Sequence, residues 1–246
     1  MTTAHVSAST TGTAPRCFAL VPCAGGGERA GQALPKQYAE LAGRAVVAHT
    51  LRALAAVARI ESTLVVLAPR DGHFERYFSD TAGSRVKTAR CGGATRAQTV
   101  AAGLQVLVES GASPHDWVLV HDAARCLLQP AWVDRLIDAC VDDAVGGLLA
   151  LPLADTLKRA ERDRVAATVS RADMWAAQTP QMFRLGLLQA ALAHAGSKVT
   201  DEASAVEALG HAPLLVQGEL ENFKLTWPGD FALAARLLDA RLLERR

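Results

Sequence analysis

Phe18-Ala19-Leu20-Val21-Pro22-Cys23-Ala24-Gly25-Gly26-Gly27-Glu28-Arg29 decides the fold. The apolar run 18–21 reads as a buried strand, and the glycines that follow belong in neither a strand nor a helix interior. A strand that runs into a Gly-rich loop opens an α/β sheet, where ligands bind outside the carboxyl end of the strand. Glycines there let backbone N–H groups approach phosphate oxygens; equally, a Gly triplet makes a plain flexible turn. Gly25, Gly27 and Ala30 meet the dinucleotide fingerprint in form. Pro35 nevertheless interrupts the helix that must follow, and no acidic residue stands about 20 residues on to hold a ribose. No Gly-Lys-Ser/Thr closes a P-loop either. What remains is Gly-rich backbone followed by Arg29 and by Lys36 within Pro35-Lys36-Gln37-Tyr38, two cations able to face a triphosphate. Each of them taken singly is an ordinary surface charge.

Outward from this loop the pattern repeats. A helix is expected over 45–58, then strands at 64–68, 86–89, 117–121 and 147–151, each separated by ten or more residues of helical character. Such spacing implies parallel strands joined by crossover helices. The clearest helix is 96–108, with Ala97, Val100, Ala101, Leu104, Leu107 and Val108 at helical spacing and Thr95 and Gln98 placed as a capping box. Between Asp155 and Trp175 the chain turns charged around the alternating stretch 165–169, which reads as a β-hairpin arm leaving the body. Beyond it come strands at 176–179, 214–216 and 223–226, helices at 185–195 and 202–209, and a last helix from Gly229.

Three further segments carry candidate chemistry. Strand 117–120 delivers His121-Asp122-Ala123-Ala124-Arg125 to the same edge as the Gly-rich loop, as an acid and a base or as a structural ion pair. Gly92-Gly93 begins a second strand-to-helix turn, which either brings backbone against a base ring with the Thr99 hydroxyl as a partner, or is a tight turn ahead of a capped helix. Lys224 stands between apolar neighbours in 222–226, where an edge-strand charge is the plain alternative. No His, Cys or acidic cluster has metal-ligand spacing, and no Gly-x-Ser-x-Gly elbow exists.

Composition narrows the class. The 246 residues are half hydrophobic, enough for one α/β domain over 16–246 preceded by a disordered Ser/Thr/Ala-rich tail, 1–15. Lys and Arg number 26 against 25 Asp and Glu, so the surface offers no field for nucleic acid or an anionic membrane. Five scattered cysteines point to a reducing cytoplasm, and no apolar run reaches the length of a membrane span.

Taken in order, residues 22–29, Pro35-Lys36-Gln37, Gly92-Gly93 with Arg96 and Thr99, 121–125, Asp155-Thr156 with Lys158, Arg171, Thr179-Pro180-Gln181, Thr200-Asp201-Glu202-Ala203 and 222–226 form a set. This set resembles the 2-C-methyl-D-erythritol 4-phosphate cytidylyltransferases of the non-mevalonate isoprenoid pathway, from about Phe18 to the last helix. The resemblance implies a Rossmann-like, mostly parallel sheet flanked by helices, and a homodimer interlocked through the arm at about 155–175. It also implies CTP and a phosphorylated polyol as substrates, with Mg²⁺ bound alongside CTP. Carried over by position, Arg29 and Lys36 stabilise the transition state, while Arg171 and Lys224 hold the phosphate of the alcohol. Pro22, Cys23, Ala24, Gly25, Gly26, Gly27, Gly93, Arg96 and Thr99 fall at nucleotide-binding positions, and Asp122, Arg125, Thr156 and Thr179 at substrate positions. Thr156 and Arg171 lie on the arm and are expected to complete the neighbour's site. Cys23 replaces the usual Ala, Cys126 the usual Pro, and Thr99 the usual Ser. A cytidylyltransferase for ribitol 5-phosphate and a non-catalytic nucleotide-binding module are the alternatives; a passive binder has no need of transition-state cations.

Overall fold

The computed structural model describes residues 14–25, 34–78, 85–196 and 199–243. Its elements are β1 (Cys17–Cys23), β2 (Glu40–Leu41), β3 (Arg44–Ala45), α1 (Val46–Ala55), β4 (Ile60–Leu67), α2 (Phe74–Phe78), β5 (Val86–Ala89), α3 (Arg96–Glu109) and β6 (Trp117–Val120). They continue as α4 (Pro130–Cys140), β7 (Gly146–Pro152), β8 (Leu157–Glu161), β9 (Arg164–Val169), β10 (Trp175–Arg184), α5 (Leu185–Ala195), α6 (Glu202–Ala208), β11 (Leu214–Gln217) and α7 (Pro228–Leu243).

One seven-stranded sheet carries the molecule, in the order β11-β7-β10-β6-β1-β4-β5. All neighbours pair parallel except β10, which runs antiparallel to both β6 and β7. The period of two in the central strands explains why helices cover both faces. Ala19 and Val21 of β1, Val65 and Leu67 of β4, and Trp117 and Leu119 of β6 pack on the side of α1 and α4. Their alternates Phe18, Leu20, Leu64, Val66, Val118 and Val120 pack on the side of α3, α5 and α6. A one-residue slip in any of these strands would exchange the two cores, so register is firmly specified.

From β1 the chain builds outward through β4 and β5, then returns to place β6 on the other side of β1. The carboxyl ends of β1 and β6 therefore flank a topological switch point, the crevice in which open α/β sheets bind ligands. Gly92 and Gly93 follow β5 and keep this crevice open. A Cβ at Gly92 would lie 2.3 Å from the Ala24 Cβ and 2.8 Å from the Leu67 carbonyl oxygen.

Several sequence expectations are corrected. Pro22 and Cys23 belong to β1 rather than to the loop, and pairing with β6 stops at Leu20, so Pro22 sits where no donor is needed on that side. β10 extends over 175–184, beyond the 176–179 expected, and runs antiparallel to its neighbours. The segment 223–226 is no strand. It follows a 3-10 turn, Leu220–Asn222, and makes one backbone bond to the body, from Leu225 N–H to the Ala124 carbonyl. It then leads into α7, whose entry is held by Asp230 accepting from the N–H groups of Thr226 and Trp227. The crossover between β4 and β5 contains only the five-residue α2 among the described residues. The expected tail lies outside them over 1–13. The expected hairpin is present: β8 and β9 form an antiparallel sheet of their own, exposed at nearly every residue. No described helix is long and apolar enough to cross a membrane.

Candidate active site

At the switch point lies a cleft of about 330 Å³. Pro22, Cys23, Ala24 and Gly25 from the end of β1, Lys36 from the 3-10 turn Lys36–Tyr38, Gly93, Arg96 and Thr99 from the β5-to-α3 turn, Asp122 after β6, and Lys224 all line it. Sequence positions 200 residues apart thus meet in one space. The expected Gly26, Gly27 and Arg29 lie outside the described residues.

Asp122 is the hub. Its Oδ1 accepts from Arg96 Nε at 2.9 Å and its Oδ2 faces Lys224 Nζ at 2.8 Å, with Arg125 Nε at 3.8 Å. Burial alone would raise this carboxyl, but the positive charges of Arg96, Lys224 and Arg125 outweigh it and hold the pKa well below the usual carboxylate range. Arg96 in turn forks onto Glu202 at 2.6 and 3.0 Å. Glu202 is 1% exposed, and burial pushes its carboxyl up against the pull of that guanidinium. We assign it the ionised form, because two parallel N–H···O bonds require acceptors on both oxygens. Lys36 Nζ donates to the Leu225 carbonyl at 3.1 Å, one residue from Lys224. Among the described residues, Lys36, Arg96, Arg125 and Lys224 stand around the two carboxylates of Asp122 and Glu202.

Gln37 ties the mouth of the cleft. Its Nε2 donates to the carbonyls of Gly25 at 2.9 Å and Cys23 at 3.3 Å, fixing where the Gly-rich loop departs from β1. The Thr99 hydroxyl, expected to serve a base ring, is already engaged: it accepts from Gly93 N–H at 3.2 Å and donates to the Thr95 carbonyl at 3.0 Å. Its visible task is to hold the Gly93 turn, alongside the capping box that Thr95 and Gln98 complete.

His121 is no acid or base for chemistry in the cleft. It is fully buried, and burial pushes its pKa down to about 4, so it is neutral at pH 7. Its Nε2 faces the Arg125 carbonyl at 3.1 Å, which assigns the proton there, and its Nδ1 accepts from the Thr179 hydroxyl at 3.0 Å. Thr179 also accepts from Asp122 N–H at 3.1 Å, so both residues hold the backbone that carries Asp122. Arg125 does likewise, donating to the Asn222 and Ala177 carbonyls at 2.6 and 3.3 Å. Below pH 6.5 the unfolded chain takes up a proton at this imidazole that the folded chain refuses down to about pH 4. This contribution to stability is therefore complete above pH 6.5 and falls with pH through that window. Between pH 7 and pH 5 the loss is about 2 kcal/mol. Urea unfolding of His121→Gln should lack that part of the slope; parallel pH dependences of variant and parent would refute the assignment.

Cys23 and Cys126 are buried with thiols pushed up to about 12 by burial, so both pack as small apolar groups and neither offers a thiolate. Thr156 and Arg171 do not reach the cleft. Both are exposed beside the β8–β9 hairpin. Glu202 and Gln37 went unassigned from sequence, although both stand inside the motifs quoted above.

The family model described as 2-C-methyl-D-erythritol 4-phosphate cytidylyltransferase matches residues 17–240. The chain belongs to this family. A protein of Burkholderia cenocepacia (strain HI2424) bearing the same description is 54% identical over 230 residues, 91% of this chain and 96% of that one. A protein of Albidiferax ferrireducens described as a bifunctional enzyme IspD/IspF is 60% identical over 229 residues; the match takes in 93% of this chain and only 54% of the relative. Among solved structures, a 4-diphosphocytidyl-2C-methyl-D-erythritol synthase superposes with a TM-score of 0.82 at 44% identity, covering 91% of this chain and 99% of the other. Membership in the cytidylyltransferase family makes the cleft at the switch point the candidate active site.

Proposed function

We propose that this cytidylyltransferase transfers CMP from CTP to 2-C-methyl-D-erythritol 4-phosphate with release of pyrophosphate, a step of isoprenoid precursor synthesis. The observation that carries the reading is the convergence of Lys36, Arg96 and Lys224 around Asp122 at the switch point, in a chain of this family. A phosphate oxygen of the alcohol attacks the α-phosphorus of CTP, forming one P–O bond while the bond to the β-phosphate breaks and its electron pair leaves with pyrophosphate. A phosphate monoester has a second pKa near 6, so its oxygen is already ionised at neutral pH and needs no base. A neutral, locked His121 is consistent with that demand.

What the reaction requires is the alignment of anions and fixed positive charge where charge spreads in the transition state. Lys36 is assigned to the polyphosphate and Lys224 to the phosphate of the alcohol. Arg29 is assigned the role of Lys36, from its place in the Gly-rich loop. Asp122 is the one carboxylate among the described residues that line the cleft, and no group of three or more metal-ligating side chains occurs among the described residues. Of these residues Asp122 would be the one to hold Mg²⁺ brought in with CTP. When bound, the ion neutralises phosphate charge and fixes the geometry of the triphosphate.

The exposed β8–β9 hairpin supports a homodimer in which Thr156 and Arg171 complete the partner's site. Val165, 66% exposed, supplies apolar surface for such a contact. Five cysteines, all free, suit the cytoplasm. Arg171→Ala is expected to raise KM for the phosphorylated alcohol by about tenfold or more while KM for CTP stays nearly constant. Mixing it with a Lys36→Ala chain should restore activity, since one site of each hybrid dimer is intact; no recovery would place both residues in one chain's site. The reading as a whole is tested by pyrophosphate release from CTP with 2-C-methyl-D-erythritol 4-phosphate and, in parallel, ribitol 5-phosphate. Faster release with ribitol 5-phosphate would transfer the assignment to that alcohol, and none with either would remove the catalytic reading.

A further inference from the structure

A second cleft, of about 530 Å³, opens a few residues further along the segment that follows β6. The β2–β3 turn, α1, residues 126–130 and the last turns of α7 enclose it. Among the described residues its charged side chains are Arg44, Arg52 and Arg241 and no Asp or Glu lines it, while its apolar floor includes Leu128 and Leu238. Arg241 is already paired through its two terminal nitrogens with Glu221 and the Leu127 carbonyl, the latter at 2.8 Å, and lies over the face of Trp132, while its buried Nε has no partner among the described residues. The side chains of Arg44 and Arg52 are exposed and have no ion-pair or hydrogen-bond partner among the described residues.

The two arginines act on one locus. His49, half-buried between them in the same wall, has its pKa lowered by burial and then by the charges of both Arg44 and Arg52. Its Nε2 lies 2.7 Å from the Leu41 carbonyl. Uncompensated like charges around a partly apolar space raise the local potential and favour a counter-anion. Guanidinium forks match phosphate oxygens two at a time. The enclosed volume is that of a small-molecule site, with apolar walls and a few convergent polar groups.

We propose that this cleft binds a small organic phosphate with an apolar body, its phosphate held by Arg44 and Arg52 and its body resting on Leu128 and Leu238. The site is separate from the active cleft and shares no lining residue with it.

Titration calorimetry with hexyl phosphate and with inorganic phosphate tests the assignment, on the parent chain and on the Arg44→Ala/Arg52→Ala double variant. Both positions are exposed and away from the active cleft, so the melting temperature and turnover should not move. Hexyl phosphate should bind saturably, once per chain, and about tenfold or more weaker in the double variant. Inorganic phosphate, which lacks the apolar body, should bind about tenfold more weakly than hexyl phosphate. Equal binding of the two probes, equal affinity of parent and variant, or no saturable binding would overturn the proposal. Sedimentation with phosphatidylglycerol vesicles separates the sources of such a phosphate. Vesicle binding that depends on the two arginines, without hexyl phosphate binding, would assign the patch to a membrane surface instead. A changed sedimentation coefficient of the double variant would assign it to a second copy of the chain. None of these readouts requires turnover, so they stand or fall apart from the catalytic reading.

Discussion

Lys36→Ala is expected to slow turnover by roughly 10² to 10³, about 3 kcal/mol of transition-state stabilisation, by analogy with removing a single oxyanion donor. The size follows from where the ammonium sits. It is fixed at 3.1 Å from the Leu225 carbonyl, in the cleft that Lys224 and Arg96 also line, so its charge is in place before substrate arrives. Fixed charge costs no reorganisation in the transition state, which is why a single cation can weigh so much. Its removal leaves the core untouched, since Lys36 belongs to none of the apolar clusters. The check is kcat together with thermal melting: a folded variant with undiminished kcat would remove Lys36 from the chemistry. Lys36→Arg should recover part of the loss, because charge returns without the same reach.

The second large effect is on stability. Glu202→Ala is expected to cost about 3 kcal/mol by denaturant unfolding, the low end of what breaking a buried ion pair costs. The low end applies because the Arg96 side chain keeps 27% exposure and can draw in water. Glu202→Gln should cost less, since one carboxamide oxygen still accepts from the fork. In both variants Arg96 loses the carboxylate that aims it at Asp122, so kcat/KM for CTP should fall along with stability. A Glu202→Ala chain as stable as the parent would mean that the two bonds of 2.6 and 3.0 Å contribute nothing net.

The sheet was legible because its central strands β1, β4 and β6 are buried on both faces and therefore stand out as apolar runs between helical segments. Helix 96–108 was legible nearly to the residue, since Thr95 and Gln98 announce its start chemically. The direction of β10 was not, because strand direction leaves no mark in composition and is set by which neighbours remain unpaired. Residues 223–226 imitate a strand by alternating Phe, Lys, Leu and Thr, yet find only one backbone partner in Ala124. At the site, Lys36, Asp122 and Lys224 were found through motif order. Glu202 stands in a motif of the same set but its role was not legible: its partner Arg96 is 106 positions away, and a buried carboxylate is identified by what packs around it. His121 stayed open between two readings for a related reason, since only burial distinguishes a locked imidazole from a proton carrier.

The contact between Asp122 and Lys224 bears on which anions gain entry. While the cleft is empty, the carboxylate occupies its cations as an internal stand-in for the substrate. An arriving phosphate must displace that stand-in, so an ion that binds by its charge alone gains less there than a substrate that also makes contacts elsewhere in the cleft. Abundant cellular phosphate is thus kept at a disadvantage without any gate or moving part.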